Sequence, residues 1–523
     1  AARYGKSQAV AATVALVAIV GMIPYIALQL KAVSTSVSTI LAAASPGSAA
    51  PPLFGDVALF VALAMAAFAV LFGTRHTDAT EHQDGLMLAI AAESIVKLMA
   101  FIAVGVFVTF VMFHGPFALF ARALATPTAA AALTRLPQLA PFGAMTLLSL
   151  FAIMLLPRQF HVMVVENHSE AEVRRAAWLF PIYLVLINLF VLPIAIAGRL
   201  VLPGGADPDS FVLTLPLAAG QNWLALAAFI GGFSASAGMI IVSAAALSTM
   251  VCNDLVMPIL FKLRPRALAR RGDMIPLLLS IRRAAMAMVM VFGYLYMRNA
   301  GEEYSLVSIG LMSFAGVAQF FPAIVLGLFW RRATRAGAIA GIAAGFAVWV
   351  YTLALPSFAH AGALPKSFID SGPFGIGLLN PYALFGLDGL SPVAHSAFWS
   401  LIVNVALLVG FSLIGRQSAV ERAQAALFVD AFESAKAAQL WRRTAQLPDL
   451  MSMVGRFLGQ QRAKEMFAAW ARRRGRDAAA FEADAELVLY GERLLAGAIG
   501  TASARVLVSS VVEEEPLGID EVM

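Results

Sequence analysis

The chain has 523 residues, of which 60% are hydrophobic and only 13% are charged, whereas soluble proteins average about 25% charged residues. This composition excludes an ordinary soluble globular protein, and repeated apolar runs of 18 or more residues predict a polytopic membrane protein. The net charge of +6 is expected from membrane topology and does not indicate nucleic-acid binding. The single cysteine, Cys252, excludes an intramolecular disulfide and argues against a cysteine-based metal site.

Ten apolar segments are predicted to span the membrane, because each is close to or above the roughly 20 residues that cross a bilayer as a helix. No charged residue lies between Asp209 and Asp254, and the stretch from Trp223 to Asp254 is dense in Gly, Ala and Ser. Small residues let membrane helices pack closely, so we expect this segment to lie beside a binding site. The ten segments lie near residues 9–30, 54–73, 86–113, 142–157, 176–198, 222–253, 277–297, 304–330, 336–355 and 394–415.

Basic residues in the connections predict the topology. One set of connections is rich in Lys and Arg. It contains Arg3 and Lys6, Arg75, Arg158, the region 262–271 and the region 331–335. The intervening connections are poorer, and the two sets alternate strictly. Because cytoplasmic loops retain Lys and Arg, the N-terminus, the rich set and everything after residue 415 are predicted to be cytoplasmic.

Residues 416–512 have frequent charges and apolar residues at helical spacing, which predicts a compact cytoplasmic bundle of three or four helices. The final residues, 513–523, have the composition of a linker. We therefore divide the chain into a membrane domain at 1–415, a helical domain at 416–512 and a linker at 513–523.

Five segments carry a family resemblance. Two are similar to core-helix regions of sodium/solute symporters: AARYGKSQAVAA and AQFFPAIVLGLFWRRATRAGAIAG. Three narrower ones are FGTRHTDATEHQDGLMLAIAAESIVKLMAF, PRQFHVMVVEN and ERLLAGAIGTASARVLVSS. Together they resemble CbrA-type sensor histidine kinases, in which a symporter-like domain is followed by a STAC domain, a PAS domain and a kinase.

The resemblance implies an all-α protein with a LeuT-like inverted-repeat transporter fold of thirteen spans, of which three precede Ala1. It implies that residues 416–512 are the STAC domain and that PAS and kinase domains follow Met523. ATP and Mg²⁺ are expected only for those kinase domains, so no cofactor is expected in this chain. The implied partners are a small solute, with histidine the favoured amino acid, the bilayer, a response regulator and a second copy in a homodimer. The implied location is a bacterial inner membrane.

The resemblance also implies a site for Na⁺, which needs oxygen ligands. A Ser/Thr pair on the eighth core helix supplies these oxygens in sodium-coupled relatives, and the corresponding positions here are Gly238 and Met239. Neither side chain offers an oxygen, so sodium coupling is predicted to be lost or weakened, unless the alignment is displaced by one helical turn. Ser234 and Ser236 lie one turn earlier and could partly substitute for the missing oxygens. They are also candidates for substrate binding, although small residues such as these also serve helix packing.

Two polar pairs are spaced to share a helix face. Glu93 and Lys97 lie four residues apart in the third span, so they are expected to pair. They are candidates for ion coupling on a proton or substrate path, and the alternative is a structural ion pair near the cytoplasmic end. Tyr25 and Gln29 follow Pro24 in the first span and either face the substrate or lie at the outer interface.

Pro322 interrupts the eighth span, because proline removes a backbone hydrogen bond and frees a carbonyl group. Gln319 and Phe320 beside it are candidates for substrate binding or gating, and the alternative is a proline kink with a packed glutamine. His76 and His82 lie in an acidic loop that we interpret as solvated rather than as a metal site. The sequence contains no recognisable catalytic triad, P-loop or nucleotide fingerprint.

The sequence therefore predicts the transporter-like sensing module of a two-component sensor histidine kinase, which binds and transports a small solute. The alternative is a stand-alone secondary transporter with a regulatory cytoplasmic tail. The chain itself contains no catalytic domain, so any enzymatic activity belongs to the absent kinase domains.

Overall fold

The structure is a computed structural model, and the predicted all-α polytopic class is confirmed. It describes residues 1–44, 56–73, 84–136, 138–167, 169–202, 206–263, 272–301, 304–429, 442–473, 482–483, 485–509 and 513–515. The acidic loop with His76 and His82 lies outside the described residues.

The first twelve helices carry the apolar N-terminal half of the chain. Their bounds are α1 Gln8–Ala44, α2 Val57–Gly73, α3 Asp84–Val106, α4 Pro116–Ala125, α5 Pro127–Thr134, α6 Leu139–Leu155, α7 Pro157–Phe160, α8 Glu170–Asn188, α9 Val191–Val201, α10 Phe211–Ala218, α11 Asn222–Met250 and α12 Met257–Leu263. Short π-helical turns extend α3, α7 and α11 without a break in the helix path.

The second half continues in the same way and ends in a group of amphipathic helices. Its elements are α13 Ile275–Tyr296, α14 Leu306–Val317, α15 Phe321–Phe329, α16 Arg335–Trp349, α17 Leu355–His360, α18 Ser367–Asp370, α19 Pro392–Ile414, α20 Ala419–Val429, β1 Arg442–Gln446, α21 Leu447–Leu458, α22 Gln460–Arg473, β2 Glu482–Ala483, α23 Ala485–Ile499, α24 Thr501–Ser509 and β3 Glu513–Glu515. The short antiparallel sheet has the order β2-β1-β3 and was not expected from the sequence.

Within the described residues, eight helices are long and apolar enough to cross a membrane, and nine if α6 and α7 form one bent span. All of these agree with predicted spans. The tenth prediction, near 54–73, corresponds to α2, which has 17 described residues. The first span is longer than predicted, since α1 has 37 residues and Pro24 lies inside it.

Helix α1 runs through the centre of the membrane domain. It crosses α14 at two glycines, where an added Cβ at Gly316 would lie 3.3 Å from the Gly21 Cα. At the same crossing the Ser313 hydroxyl donates a hydrogen bond to the Gly21 carbonyl over 2.5 Å. Close backbone approach and an interhelical hydrogen bond are the interactions that hold helices together in lipid.

Helices α16 and α19 form a second close pair. Gly337, Gly341 and Gly345 recur every four residues on α16, and all three lie against α19. A Cβ on Gly341 would lie 2.7 Å from the Asn404 carbonyl oxygen and 2.9 Å from the Leu408 Cβ. The stripe therefore has no room for side chains, as in other small-residue membrane interfaces.

The start of the helical domain is held by contacts of Glu421 with α16 and with the N-terminal residues. Ser418 and Glu421 form a capping box at the start of α20, and Glu421 also accepts a hydrogen bond from the Arg335 N–H. Burial alone would raise the pKa of Glu421, but these backbone N–H groups bring that pKa below its usual value. Gly5, with φ of 72°, lies against Glu421, where an added Cβ would be 3.0 Å from the Glu421 Cγ.

The helical domain packs directly on the membrane domain and shares a hydrophobic core with it. Cys252, Met257 and Leu278 from the predicted cytoplasmic ends of the spans are buried with Leu450 and Ile499 from the domain. The described residues of this domain form five helices, α20 to α24, where the sequence predicted three or four. Buried residues of the spans complete its core.

Polar contacts surround this shared core. Lys6 forms an ion pair with the buried Glu492 at 2.5 Å, and Arg282 Nη2 donates to the Ala498 carbonyl at 3.5 Å. Gly500, with φ of 82°, ends α23 and brings the chain against Asp254, whose Oδ1 would be 3.1 Å from an added Cβ. A cation at the C-terminal end of α23 also suits the helix dipole.

The α16–α19 packing gives a stability prediction. The Gly341→Ala variant is expected to unfold more easily by about 1–3 kcal/mol, because the added methyl group overlaps Asn404 and Leu408. The matched control is Gly410→Ala on α19, where a Cβ meets nothing within 4 Å, and it should be neutral or stabilising by up to about 1 kcal/mol. Denaturant unfolding in mixed micelles measures both changes. Equal stability of the two variants would contradict the packing.

Candidate functional site

The face of α11 that meets α3 lacks side chains at two positions. A Cβ on Gly231 would lie 2.9 Å from the Ala100 Cβ and 3.4 Å from the Lys97 Cα. A Cβ on Gly238, two turns further on, would collide with the Glu93 Oε2. The absence of side chains at these glycines therefore lets α3 place its charged residues directly on α11.

Glu93 and Lys97 form the ion pair that their spacing predicts. The Lys97 Nζ donates to the Glu93 Oε1 over 3.3 Å, and the side chains are 19% and 10% exposed for Lys97 and Glu93. A lone charge at the centre of a membrane helix costs roughly 2.5–3.5 kcal/mol on insertion scales, so pairing is the expected response. The second carboxylate oxygen of Glu93 faces Gly238, so the carboxylate lies between α3 and α11.

Tyr25 reaches the same region from α1. Its side chain is buried, and its hydroxyl donates a hydrogen bond to the Met239 Sδ over 3.2 Å. Tyr25 also lies within electrostatic range of Glu93. The two positions where hydroxyl ligands were expected thus have other partners, because Gly238 accommodates a carboxylate and Met239 contacts a phenol.

The sequence interpretation assigned Arg158 to a cytoplasmic connection. In the structure Arg158 lies in α7, two residues after Leu156, whose extended backbone (φ −60°, ψ 125°) separates α6 from α7. The two segments are bent by 48°. Pro157 has no N–H to continue the hydrogen-bond ladder, which favours a break at this point.

The bend brings Arg158 towards α1 and α3. Its guanidinium carbon lies 5.5 Å from the centre of the Tyr25 ring, a cation–π distance, and it acts electrostatically on Glu93. Among the described residues, the Arg158 Nε is buried and has no hydrogen-bond partner. We call Tyr25, Glu93, Lys97 and Arg158 the charged cluster. It carries one carboxylate and two cations, so its formal charge is positive and it can accept an anionic group.

The remaining candidates on α1 and α11 lie near the cluster in sequence but do not hydrogen-bond to it within the described ranges. Gln29 is buried one turn beyond Tyr25 on α1. Ser236 is buried on α11 and Ser234 is half-buried. Ser243, one turn beyond Met239, is also buried, and its hydroxyl has no partner among the residues that the structure describes.

Gln319 and Phe320 lie in the 3₁₀ turn between α14 and α15, and Gln319 is directed towards α19. The Gln319 Nε2 donates to the Ser400 Oγ over 2.9 Å, and the Asn404 Nδ2 donates to the Gln319 Oε1 over 3.0 Å. Asn404 also donates to the Gln319 carbonyl over 2.8 Å. Gln319 is fully buried in this network, which matches the packed-glutamine alternative, and Phe320 is buried in the core.

Phe321, which the sequence interpretation did not single out, connects this turn with the bent span. Its ring stacks on Phe151 of α6 with 3.9 Å between the ring centres. Proline-interrupted segments at 157 and 322 thus belong to helices in direct contact. The signals that could have identified the bent span are Pro157 and the apolar residues that resume after His161.

A metal site is not apparent in the part of the chain that the structure describes, since no group of three or more His, Cys, Asp or Glu side chains is suitably clustered there. His161 and Glu166, beyond Arg158 in the chain, form a pair with 3.0 Å between the His161 Nε2 and the Glu166 Oε1. The chemistry available in the cluster is therefore recognition by charge and hydrogen bonding.

Comparisons with known proteins agree with a membrane transporter-like chain. No protein-family model matches the sequence. A stretch of 155 residues is 31% identical to an uncharacterised symporter of Cupriavidus necator. This match covers 28% of the chain and 20% of that protein, so the chain spans one fifth of the relative's length. The chain is a multi-pass membrane protein with distant homology to a symporter.

Proposed function

We propose that this chain is the solute-binding module of a membrane sensor histidine kinase, and that it binds and transports an amino acid. The observation that carries the proposal is the charged cluster, which lies half-buried where α7 meets α1 and the glycine face of α11. Ionisable residues inside membrane segments are costly and typically mark substrate or ion paths. The distant homology to a symporter supports the same function.

Arg158 is the proposed ligand of the solute carboxylate. Its buried Nε lacks a partner among the described residues, and a guanidinium can bind a carboxylate through two parallel hydrogen bonds. A carboxylate would also neutralise the excess positive charge of the cluster. A bound anion at this position would contact both α1 and the bend, so its arrival favours one arrangement of these elements over another.

Glu93 is the proposed ligand of the solute ammonium group. One of its oxygens accepts a hydrogen bond from Lys97, and the other faces α11 at Gly238. A carboxylate and a guanidinium in one cluster match the two charges of an amino acid. The resemblance to CbrA-type kinases favours histidine within this class.

Lys97 is the proposed substitute for a coupling sodium ion. It places an ammonium group beside the face of α11 that contains Gly238 and Met239. The resemblance implies sodium ligands at these two positions, but neither side chain has an oxygen. A positive charge attached to the chain would preserve the electrostatics of that site without Na⁺. The proposed module therefore binds its solute independently of sodium.

The proposed signalling route follows α11. This helix continues through a π-helical turn into α12 as one helix of 42 residues, and the same helix contains Gly238 and the residues Cys252 and Met257 of the shared core. Asp254 on that path contacts Gly500 between α23 and α24. A shift of α11 on solute binding would move the surface on which those helices pack.

In this proposal residues 416–512 are a STAC-like relay in the cytoplasm of a bacterium, and kinase domains outside this sequence form a homodimer and act on a response regulator. The alternative function is a stand-alone secondary transporter, which the similarity to a symporter favours. Uptake of the solute without any effect on the helical domain would support the transporter.

Substitution of Arg158 tests the solute site. Arg158→Gln is expected to weaken histidine binding by roughly 10- to 150-fold, since hydrogen bonds to charged groups contribute about 1.5–3 kcal/mol. Arg158→Lys keeps the charge but not the paired donors, so it should recover only part of the affinity. Scintillation proximity binding of labelled histidine to the full-length protein in nanodiscs measures these affinities.

The matched control is Arg174→Gln, which removes one charge from the exposed surface of α8 and should leave binding unchanged. Unaltered affinity of Arg158→Gln would remove Arg158 from the site. Failure of the unmodified protein to bind histidine or any other amino acid would remove the proposed solute class.

The glycine face of α11 gives a second test. Gly238→Ala is expected to displace the Glu93 carboxylate and weaken binding about tenfold or more, because the charged hydrogen bond is lost. Gly232→Ala is the control, since a Cβ there meets nothing within 4 Å. Combining Gly238→Ala with Glu93→Asp, a shorter carboxylate, should restore part of the affinity. The titrations are run in sodium chloride and in choline chloride, and strict dependence on Na⁺ would contradict the role of Lys97.

A further inference from the structure

A cavity of about 460 Å³ lies apart from the charged cluster, between α1, α13 and the segment that joins α16 to α17. Pro24 and Trp349 form its inner wall, and Phe292, Tyr296 and Phe358 line its sides. Its size falls within the roughly 300–1,000 Å³ of small-molecule sites. Nothing in the proposed function uses this cavity.

The hydrogen-bond donors that line the cavity are engaged within the protein. The Tyr296 hydroxyl lies 3.3 Å from both the Ser357 Oγ and the Met312 Sδ. The Trp349 Nε1 donates to the Met312 carbonyl over 3.0 Å, and the Asn299 Nδ2 donates to the Leu295 carbonyl over 2.7 Å. The surface offered to an occupant is therefore almost entirely hydrocarbon, and a polar solute would lose its hydration without compensation.

The mouth of the cavity lies on the outer face of α13. Phe292 and Leu295 at the mouth are 41% and 46% exposed, and Met288 and Val291 on the preceding turn are also exposed. Helical spacing places these residues on one apolar stripe of a membrane-spanning helix, which the bilayer covers. An occupant therefore enters sideways from the hydrocarbon phase.

We propose that this cavity binds a long alkyl chain, supplied by a membrane phospholipid or by a free fatty acid. The chain inserts past Phe292 and Leu295 and ends against Trp349 and Pro24. Because Pro24 precedes Tyr25 in α1, the occupant packs on the same helical turn that contributes to the charged cluster. It fills space that would otherwise be left without dispersion contacts.

Fluorescence quenching of Trp349 tests the proposal. The full-length protein is prepared with the other six of the seven tryptophans in this sequence changed to Phe, and is reconstituted with phospholipids brominated on their acyl chains. Strong quenching of Trp349, which is 1% exposed, is the expected result. A second sample in unbrominated bilayers receives a brominated fatty acid, and comparison of the two samples identifies the source of the alkyl chain.

Cavity-filling variants separate a bound chain from lipid that only surrounds the protein. Ala354→Phe at the wall, or Ala363→Phe at the rim if the first variant folds poorly, should reduce the quenching of Trp349 at least twofold. Ala284→Phe on the exposed surface of α13 is the matched control and should not reduce it. A protein that retains only Trp178, which is 78% exposed, must be quenched in every brominated bilayer. Absence of Trp349 quenching in both samples, or quenching that the filling variants leave unchanged, would overturn the proposal.

Discussion

The close approach of α3 to α11 is the interaction on which the rest of the site depends. Gly231 and Gly238 leave that face of α11 without side chains, and Glu93 and Lys97 occupy the space. Unpaired charges at this contact would be costly within a membrane, so Glu93 and Lys97 pair with each other. The glycines provide the space in which the pair lies against α11. Tyr25 and Arg158 approach this half-buried pair from α1 and from α7.

The other end of α11 packs against the helical domain. Its helices do not close a hydrophobic core of their own, because Cys252, Met257 and Leu278 of the spans complete it. The Lys6–Glu492 pair and the Arg282–Ala498 contact fix the domain around this core. Shared burial of this kind means that the position of α11 and the packing of α23 and α24 are energetically coupled, which provides a physical basis for the proposed relay.

The sequence was informative where a local rule decides the structure. Apolar length identified the spans, and four-residue spacing correctly paired Glu93 with Lys97. It did not reveal the contact between Arg158 and Tyr25, because a basic residue after an apolar run also fits a cytoplasmic loop, and the contact forms where α6 and α7 are bent by 48°. Likewise, the hydrogen bonds that bury Gln319 come from Ser400 and Asn404, about 80 residues away in the chain. The contact of Gly238 with Glu93 depends on how α3 packs on α11. No spacing rule encodes such contacts between distant segments.

Amide hydrogen exchange in residues 485–509 of the full-length protein is the most direct test of coupling between the charged cluster and the helical domain. Saturating histidine should change exchange in this segment several-fold in the unmodified protein, since exchange reports local opening energies. The same addition should have no effect in Arg158→Gln at a concentration that this variant does not bind. Unchanged exchange in the unmodified protein, under conditions where histidine binding is measured directly, would contradict the account.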